Sequence, residues 1–190
     1  NFLTIVSNVV ELKPLLIKGK VIKSINQRYN KKKAYYQSQG NKAMIKKLSV
    51  RRFCQLNDTF HKISHQLLNY CLKNDIGTVV IGKSSGWKQS INIGKVNNQT
   101  FVNIPYNNMT QKLKYKLEAY GIDVIEQEES YTSKSDALVC DNLPVYGVKK
   151  LDKENKQQKH KFLGKRIKRG LYQSSCGKLI NADVNGAINI

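Results

Sequence analysis

The spacing of apolar and polar positions changes several times along the chain, and each change predicts an element boundary. Residues 2–22 read as strand: an apolar run from Phe2 to Val10, the breaker Pro14, a second run at Leu15–Ile17, and a Lys18-Gly19-Lys20 turn before Val21 and Ile22. From 23 to 75 there is no proline and a single glycine, Gly40, while Leu48, Phe53, Leu56, Phe60, Ile63, Leu67 and Leu68 fall near helical spacing. This predicts two long helices broken around Gly40. Thr78-Val79-Val80-Ile81-Gly82 is short, apolar and β-branched, the pattern of a buried central strand. Residues 83–104 read as loop. Pro105–Tyr120 reads as helix, with Asn107 or Asn108 near its start and Gly121 in the C-cap position, and Ile122–Glu126 as the following strand. Strand, helix and strand in succession predict an α/β layer. Residues 134–178 are poor in apolar side chains and read as an inserted or flexible basic arm, and 181–190 as the first turns of a helix.

Composition sharpens the picture. With 33 Lys and Arg against 13 Asp and Glu among 190 residues, the formal net charge is +20. A surface this basic favours polyanions, chiefly nucleic acid. No run is long and apolar enough to span a membrane, and no secretory signal precedes the chain, so the sequence points to a soluble, cytoplasmic protein with no membrane partner. The four cysteines, Cys54, Cys71, Cys140 and Cys176, form no C-x-x-C pair. They read as reduced thiols, with neither a disulfide framework nor a metal knuckle.

Because acids are scarce, their placement is informative. Glu126, Glu128 and Glu129 crowd the end of a predicted strand, just before Ser130-Tyr131-Thr132-Ser133. Carboxylates there suit a hard cation such as Mg²⁺ held against phosphate, or form a solvated acidic turn. Asp183 is flanked by Ala182, Gly186 and Ala187, which permit close approach; it also suits the start of a helix for purely electrostatic reasons. His61 and His65 have metal-ligand spacing without a third ligand, and read better as ordinary helix histidines. Trp87, beside Lys88, reads as a base-stacking ring or a loop plug. Tyr29, Tyr35 and Tyr36 around Lys31, Lys32 and Lys33 fit an aromatic-basic nucleic-acid stripe or an amphipathic helix with solvated lysines.

In order, these blocks resemble a known family. Asn1-Phe2-Leu3-Thr4-Ile5-Val6-Ser7-Asn8, Lys-Ser-Ile-Asn-Gln at 23–27, Ile-Gly-Lys-Ser-Ser-Gly-Trp-Lys-Gln at 81–89, Glu-Glu-Ser-Tyr-Thr-Ser-Lys at 128–134, Gly-Lys-Arg-Ile-Lys-Arg-Gly at 164–170 and Asn-Ala-Asp-Val-Asn-Gly-Ala-Ile-Asn-Ile at 181–190 are similar to the C-terminal half of the transposon-encoded TnpB (OrfB) family, RNA-guided DNA endonucleases long described as transposases. The resemblance implies an RNase H-like RuvC nuclease fold, a mixed sheet with flanking helices, over 1–133 and 179–190. Residues 134–178 would be a basic insertion. It further implies two Mg²⁺ ions held by three acids. Asp183 matches the third acid. The first belongs a few residues before Asn1, and the chain as it stands is expected not to cut DNA.

The usual Val-Val-Glu-Asp strand end aligns with Val79-Val80-Ile81-Gly82, which has no carboxylate. Some relatives, the eukaryotic Fanzor branch among them, carry that glutamate just before Tyr-Thr-Ser. Glu129 fits there, with Glu128 as the alternative. Many members also insert a four-cysteine zinc ribbon before the last Asp; here that span holds only Cys140 and Cys176, so no zinc is expected. The implied partners are DNA and guide RNA. Lys31, Lys32, Lys33, Trp87, Lys88, Lys165, Arg166, Lys168 and Arg169 would bind nucleic acid, a single-strand transposase would be a genetic neighbour, and the setting would be a bacterial or archaeal nucleoid. A different class of reading is a non-catalytic basic nucleic-acid-binding protein, a decayed or repurposed transposase remnant.

Overall fold

The computed structural model describes residues 1–83, 104–144 and 160–190. Trp87, Lys88 and most of the charged stretch at 149–161 lie outside them. The elements run β1 (Leu3–Ile5), β2 (Leu15–Ile17), α1 (Lys20–Ser38), α2 (Lys42–Lys73), β3 (Thr78–Lys83), α3 (Tyr106–Glu118), β4 (Asp123–Glu128), β5 (Lys165–Lys168), β6 (Leu171–Gln173), β7 (Leu179–Asn181) and α4 (Ala182–Ile188). The protein is mixed α/β, and its described residues divide into two compact bodies: 1–18, 82–83, 126–144 and 160–190 in one, 19–81 and 104–125 in the other.

The second body is helical. Gly40 takes a left-handed φ of +66°, which glycine adopts without a side-chain clash, and Asn41 then caps α2 by accepting from Met44 N–H. The helices α1 and α2 are antiparallel, since Asn26 meets Arg52 and Tyr29 meets Ser49. Along α2, Leu56, Phe60, Ile63, Leu67, Leu68 and Cys71 are buried on one stripe. Met109, Leu113 and Leu117, each one turn from the next on α3, are buried as well. Each such side chain contributes about 2 kcal/mol of hydrophobic stabilisation.

The strand predicted at Val21–Ile22 is instead the first turn of α1. Ile22 and Asn26, four residues apart, are the buried pair of that helix, so the helical period continues back to Lys20. The strand β3 forms as predicted but is not buried: Val80 is 47% exposed. Among the described residues β3 pairs with β4 alone, so one side of the ribbon is unpaired. Asp123 N–H bonds to Gly77 C=O and Glu129 N–H to Lys83 C=O with the same offset, so β3 and β4 run parallel, joined by α3 in a β–α–β order.

In the first body β1 pairs antiparallel with β2, Leu3 opposite Ile17 and Ile5 opposite Leu15. Within the segment read as an inserted or flexible basic arm, the described residues include regular strands. Strands β5, β6 and β7 make an antiparallel sheet, with Arg169-Gly170 turning β5 into β6 and Gly170 at φ +78°. Every residue of β5 is exposed, whereas Tyr172 on β6 is fully buried. The interior here is markedly polar: Thr132, Ser135, Asp136, Ser174 and Asn185 are all buried. Such groups are tolerated because each has a hydrogen-bond partner.

Candidate metal centre

Asp183 stands in the first turn of α4. The side chain of Asn181 caps that helix, accepting from Asp183 N–H at 2.9 Å and Val184 N–H at 3.3 Å, and this fixes the direction in which the Asp183 carboxylate leaves the helix. Asn1 Nδ2 donates to Asp183 Oδ2 at 2.8 Å, placing the start of the first strand beside the acid. With its side chain 39% exposed, Asp183 remains open to a ligand.

Glu129 lies one residue beyond β4, and its backbone N–H extends the β3–β4 ribbon to Lys83 C=O. Its side chain fills a particular gap. A Cβ built on Gly82 would lie 2.7 Å from Glu129 Oε2 and 2.6 Å from Ile190 Cδ1. The glutamate therefore occupies the space left by the absent side chain at the end of β3. It is half-buried, and burial, reinforced by the neighbouring charge of Glu128, holds its carboxyl above the usual range. Glu128 is engaged differently: it is exposed and accepts from Ser130 N–H at 2.9 Å and Ser130 Oγ at 2.6 Å. Glu126 pairs with Lys83.

Residues that pattern reading did not single out hold these acids. Asn185, fully buried on α4, donates to Ser135 C=O at 2.7 Å and accepts from Ala137 N–H at 3.1 Å. Asn189, one turn later, donates to Thr132 and Ser135 C=O, both at 2.9 Å. Two amides on one helix face thus clamp the turn that begins at Glu129, and their i, i+4 spacing was the available signal. Gly186 fits against Ser133, with the Ser133 Cα 3.8 Å from where a Cβ would stand. Asp136 takes four hydrogen bonds, from Leu138 N–H, Ser174 Oγ, Ser175 N–H and Ser175 Oγ. Tyr172 Oη donates to Lys134 C=O, and burial, with the charges of Asp136 and Asp141, pushes its hydroxyl up to about 12.

As a cation site the arrangement supplies hard carboxylate oxygens of the kind Mg²⁺ prefers. The cradle at Gly82 turns one of them, Glu129, into the body that also holds Asp183. No described group of three or more His, Cys, Asp or Glu side chains gathers in metal-binding fashion. Glu129 packs beside Ile190 and Asp183 beside Asn1, at opposite ends of α4, and no direct bond joins the two acids.

The other candidate residues divide between the bodies. Lys31 and Lys32 project from α1 into solvent, and Lys33 Nζ lies 6.0 Å from the Tyr29 ring. That ring also carries the Arg52 guanidinium at 5.0 Å. Lys165, Arg166 and Lys168 line β5, with Arg169 at its turn, all exposed. Of the two helix histidines, His61 Nε2 accepts from Lys112 Nζ at 3.1 Å, and His65 meets Asn69. Cys140 and Cys176 are free and exposed. No helix among the described residues is long and apolar enough to cross a membrane.

Two family models match. The probable transposase OrfB_IS605 covers residues 1–88, and the Cas12f1-like TNB domain covers 106–190. The CRISPR-associated endodeoxyribonuclease Cas12f1 of Sulfoacidibacillus thermotolerans is 27% identical over 133 residues, covering 70% of this chain and 26% of that protein. A Cas12f1 chain solved by cryo-electron microscopy with sgRNA and target DNA aligns over 95% of this chain and 44% of its own length. Its TM-score is 0.61 at 23% identity, which is a likeness of fold. The chain spans about a quarter of the curated relative's length and under half of the structural one. The chain thus carries a probable-transposase segment at one end and a Cas12f1-like segment at the other, a combination consistent with the TnpB (OrfB) family.

Proposed function

We propose that this chain is the nuclease-bearing part of an RNA-guided, Mg²⁺-dependent DNA endonuclease of the TnpB type, with an RNase H-like RuvC domain in which Glu129 and Asp183 are metal-binding acids. One observation carries the reading: the Glu129 carboxylate fills the space over Gly82, at the strand end where the family pattern has its second acid and this chain has none. An acid missing from one strand and supplied from its neighbour preserves the chemistry while changing the residue. Asn1 next to Asp183 supports it, because the family's first acid belongs to the segment ending at Asn1.

In this reading Glu129 and Asp183 would hold the metal, which would supply Lewis-acid stabilisation of the attacking and leaving oxygens of the phosphodiester. The chain's own groups do the rest. Asn185 and Asn189 keep the 129–137 turn against α4. Asn181 aims Asp183. The lysines and arginine of β5 grip phosphates, which gives affinity without sequence information, while a guide RNA would supply the sequence by base pairing.

The test uses the full-length protein with its guide RNA and Mg²⁺. Asp183→Ala and Glu129→Gln each abolish DNA cleavage and leave RNA binding intact, whereas Glu128→Gln retains cleavage. Gly82→Ala drives a methyl against Glu129 and Ile190 and lowers cleavage at least ten-fold, about 1.4 kcal/mol in the barrier. Cleavage that survives Glu129→Gln overturns the assignment of that acid. A full-length protein that binds nucleic acid but never cuts it supports the non-catalytic reading instead.

A further inference from the structure

Immediately after Glu129 and Ser130, Tyr131 adopts φ +66°. A left-handed backbone in an aromatic residue is uncommon and costs energy, of order 1 kcal/mol or more, so something else must favour it. The residue is 36% exposed. It does not stand alone: the Phe162 ring lies 6.2 Å away, tilted by 31°, and His160 packs edge-on to Phe162 at 4.7 Å. Lys134 Nζ stands 6.0 Å from the Phe162 ring. Directly after Gly164 the chain enters β5, whose exposed residues include Lys165, Arg166 and Lys168. Two nearby acids are already engaged. Glu128 is bound to Ser130, and Asp141 accepts from Leu163 N–H.

An exposed tyrosine backed by a half-buried phenylalanine, with cations beside them, matches the chemistry of unstacked bases joined by phosphates. A nucleobase gains about 1–3 kcal/mol by stacking on an aromatic side chain, whatever its identity, while lysine and arginine take the backbone. A duplex hides its base faces and gains only the second part. An apolar protein partner would not need the cationic strand beside the rings.

We propose that Tyr131 and Phe162 form a base-stacking step for single-stranded DNA on the turn that carries Glu129. The assignment of DNA rests on the nuclease reading above, because the strand stacked at this turn is the one presented to the acid two residues away. The step holds the bases, β5 holds the phosphates, and the scissile backbone is left toward Glu129.

The test measures binding of the chain to fluorescently labelled oligothymidylate, to a duplex and to oligouridylate. Tyr131→Leu and Phe162→Leu each weaken single-stranded DNA binding about ten-fold, leave duplex binding unchanged, and are restored by Phe162→Tyr in the second case. Circular dichroism identical to the parent confirms that each variant folds. Equal losses on duplex and single strand, or no loss on either, overturn the stacking step. Oligouridylate bound more tightly, with the same aromatic dependence, overturns the DNA assignment. If the variants bind normally while Asp183→Ala still abolishes cleavage in the full-length protein, the step fails and the nuclease reading stands. A parent chain that binds none of the three probes overturns the stacking step, while the nuclease reading is decided by cleavage in the full-length protein.

Discussion

Asp136 is a carboxylate that folding removes from water completely, and among the described residues it has no ion pair. Burial alone would raise its pKa. The N–H groups of Ser175 and Leu138 and the hydroxyls of Ser174 and Ser175 outweigh that and hold it below the ordinary aspartate range. Its hydrogen bonds tie the 136–138 turn to the 174–175 turn. Removing the carboxylate would leave several buried donors unpaired. Asp136→Ala should therefore lower the stability of the chain by about 3 kcal/mol in urea unfolding. A metal chelator should leave the parent transition unchanged, since the tie is made by hydrogen bonds. Stability lost to the chelator would show that a metal, and not Asp136, holds the two turns. The scarcity of acids marked the cluster Glu126, Glu128 and Glu129 and, separately, Asp183, and the family resemblance then pointed to Glu129 within the cluster. It did not mark Asp136 or Asn185, because a buried polar residue is recognised by its partners, and these partners lie 38 to 50 positions away.

At the level of elements, the long helices were legible because Leu56, Phe60, Ile63 and Leu67 repeat on one face over many turns. The strand at Val21–Ile22 was misread because two apolar residues after a glycine fit either period until Asn26 is seen to face the same way. The sheet at 165–181 escaped notice for a different reason. All four residues of β5 are exposed, so its strand character leaves no alternation in the sequence. The pairing of α2 with α3 carries a pH dependence that no pattern shows. His61 faces Lys112 and Lys116 from α3, and Asp58, Lys62 and His65 on its own helix, with Asp58 bonded to Lys62. Burial, then the two α3 lysines, lower its pKa, against a smaller opposing effect of Asp58. A folded pKa below the unfolded value near 6.5 means that the unfolded chain takes up the proton more readily. The contribution is complete above that pH and is lost as the pH falls through the lower folded value. Thermal midpoints should accordingly drop between pH 7.5 and 5.5. In His61→Gln, which keeps an acceptor for Lys112 without titrating in this range, the drop should shrink; an undiminished drop would place the proton elsewhere.

Over the whole molecule, a charge of +20 states an affinity for polyanions without saying which cations act. Many of them, Lys31 and Lys32 among them, lie on solvated helix faces, where a lysine is equally well explained by solubility. The strand β5 is different. It places Lys165, Arg166 and Lys168 on one short, regular element, and a strand advances about 3.3 Å per residue, so its cations are spread over a length comparable to neighbouring phosphates in a nucleic-acid strand. Cations that touch phosphates reveal themselves by salt dependence, because each contact releases condensed counterions. For single strands each contact contributes about 0.7 to the slope of log affinity against log salt. Replacing all three by glutamine should reduce that slope by about 2 for single-stranded DNA. Replacing Lys31, Lys32 and Lys33 provides the comparison, since three charges are removed in each case and the net charge falls equally. If the slope tracks net charge alone, both triple variants will lose the same amount, and the nucleic acid is held by a diffuse field. If β5 is a phosphate track, its variant loses the larger slope at equal charge, and the geometry of the strand, rather than the total of +20, sets where the backbone lies.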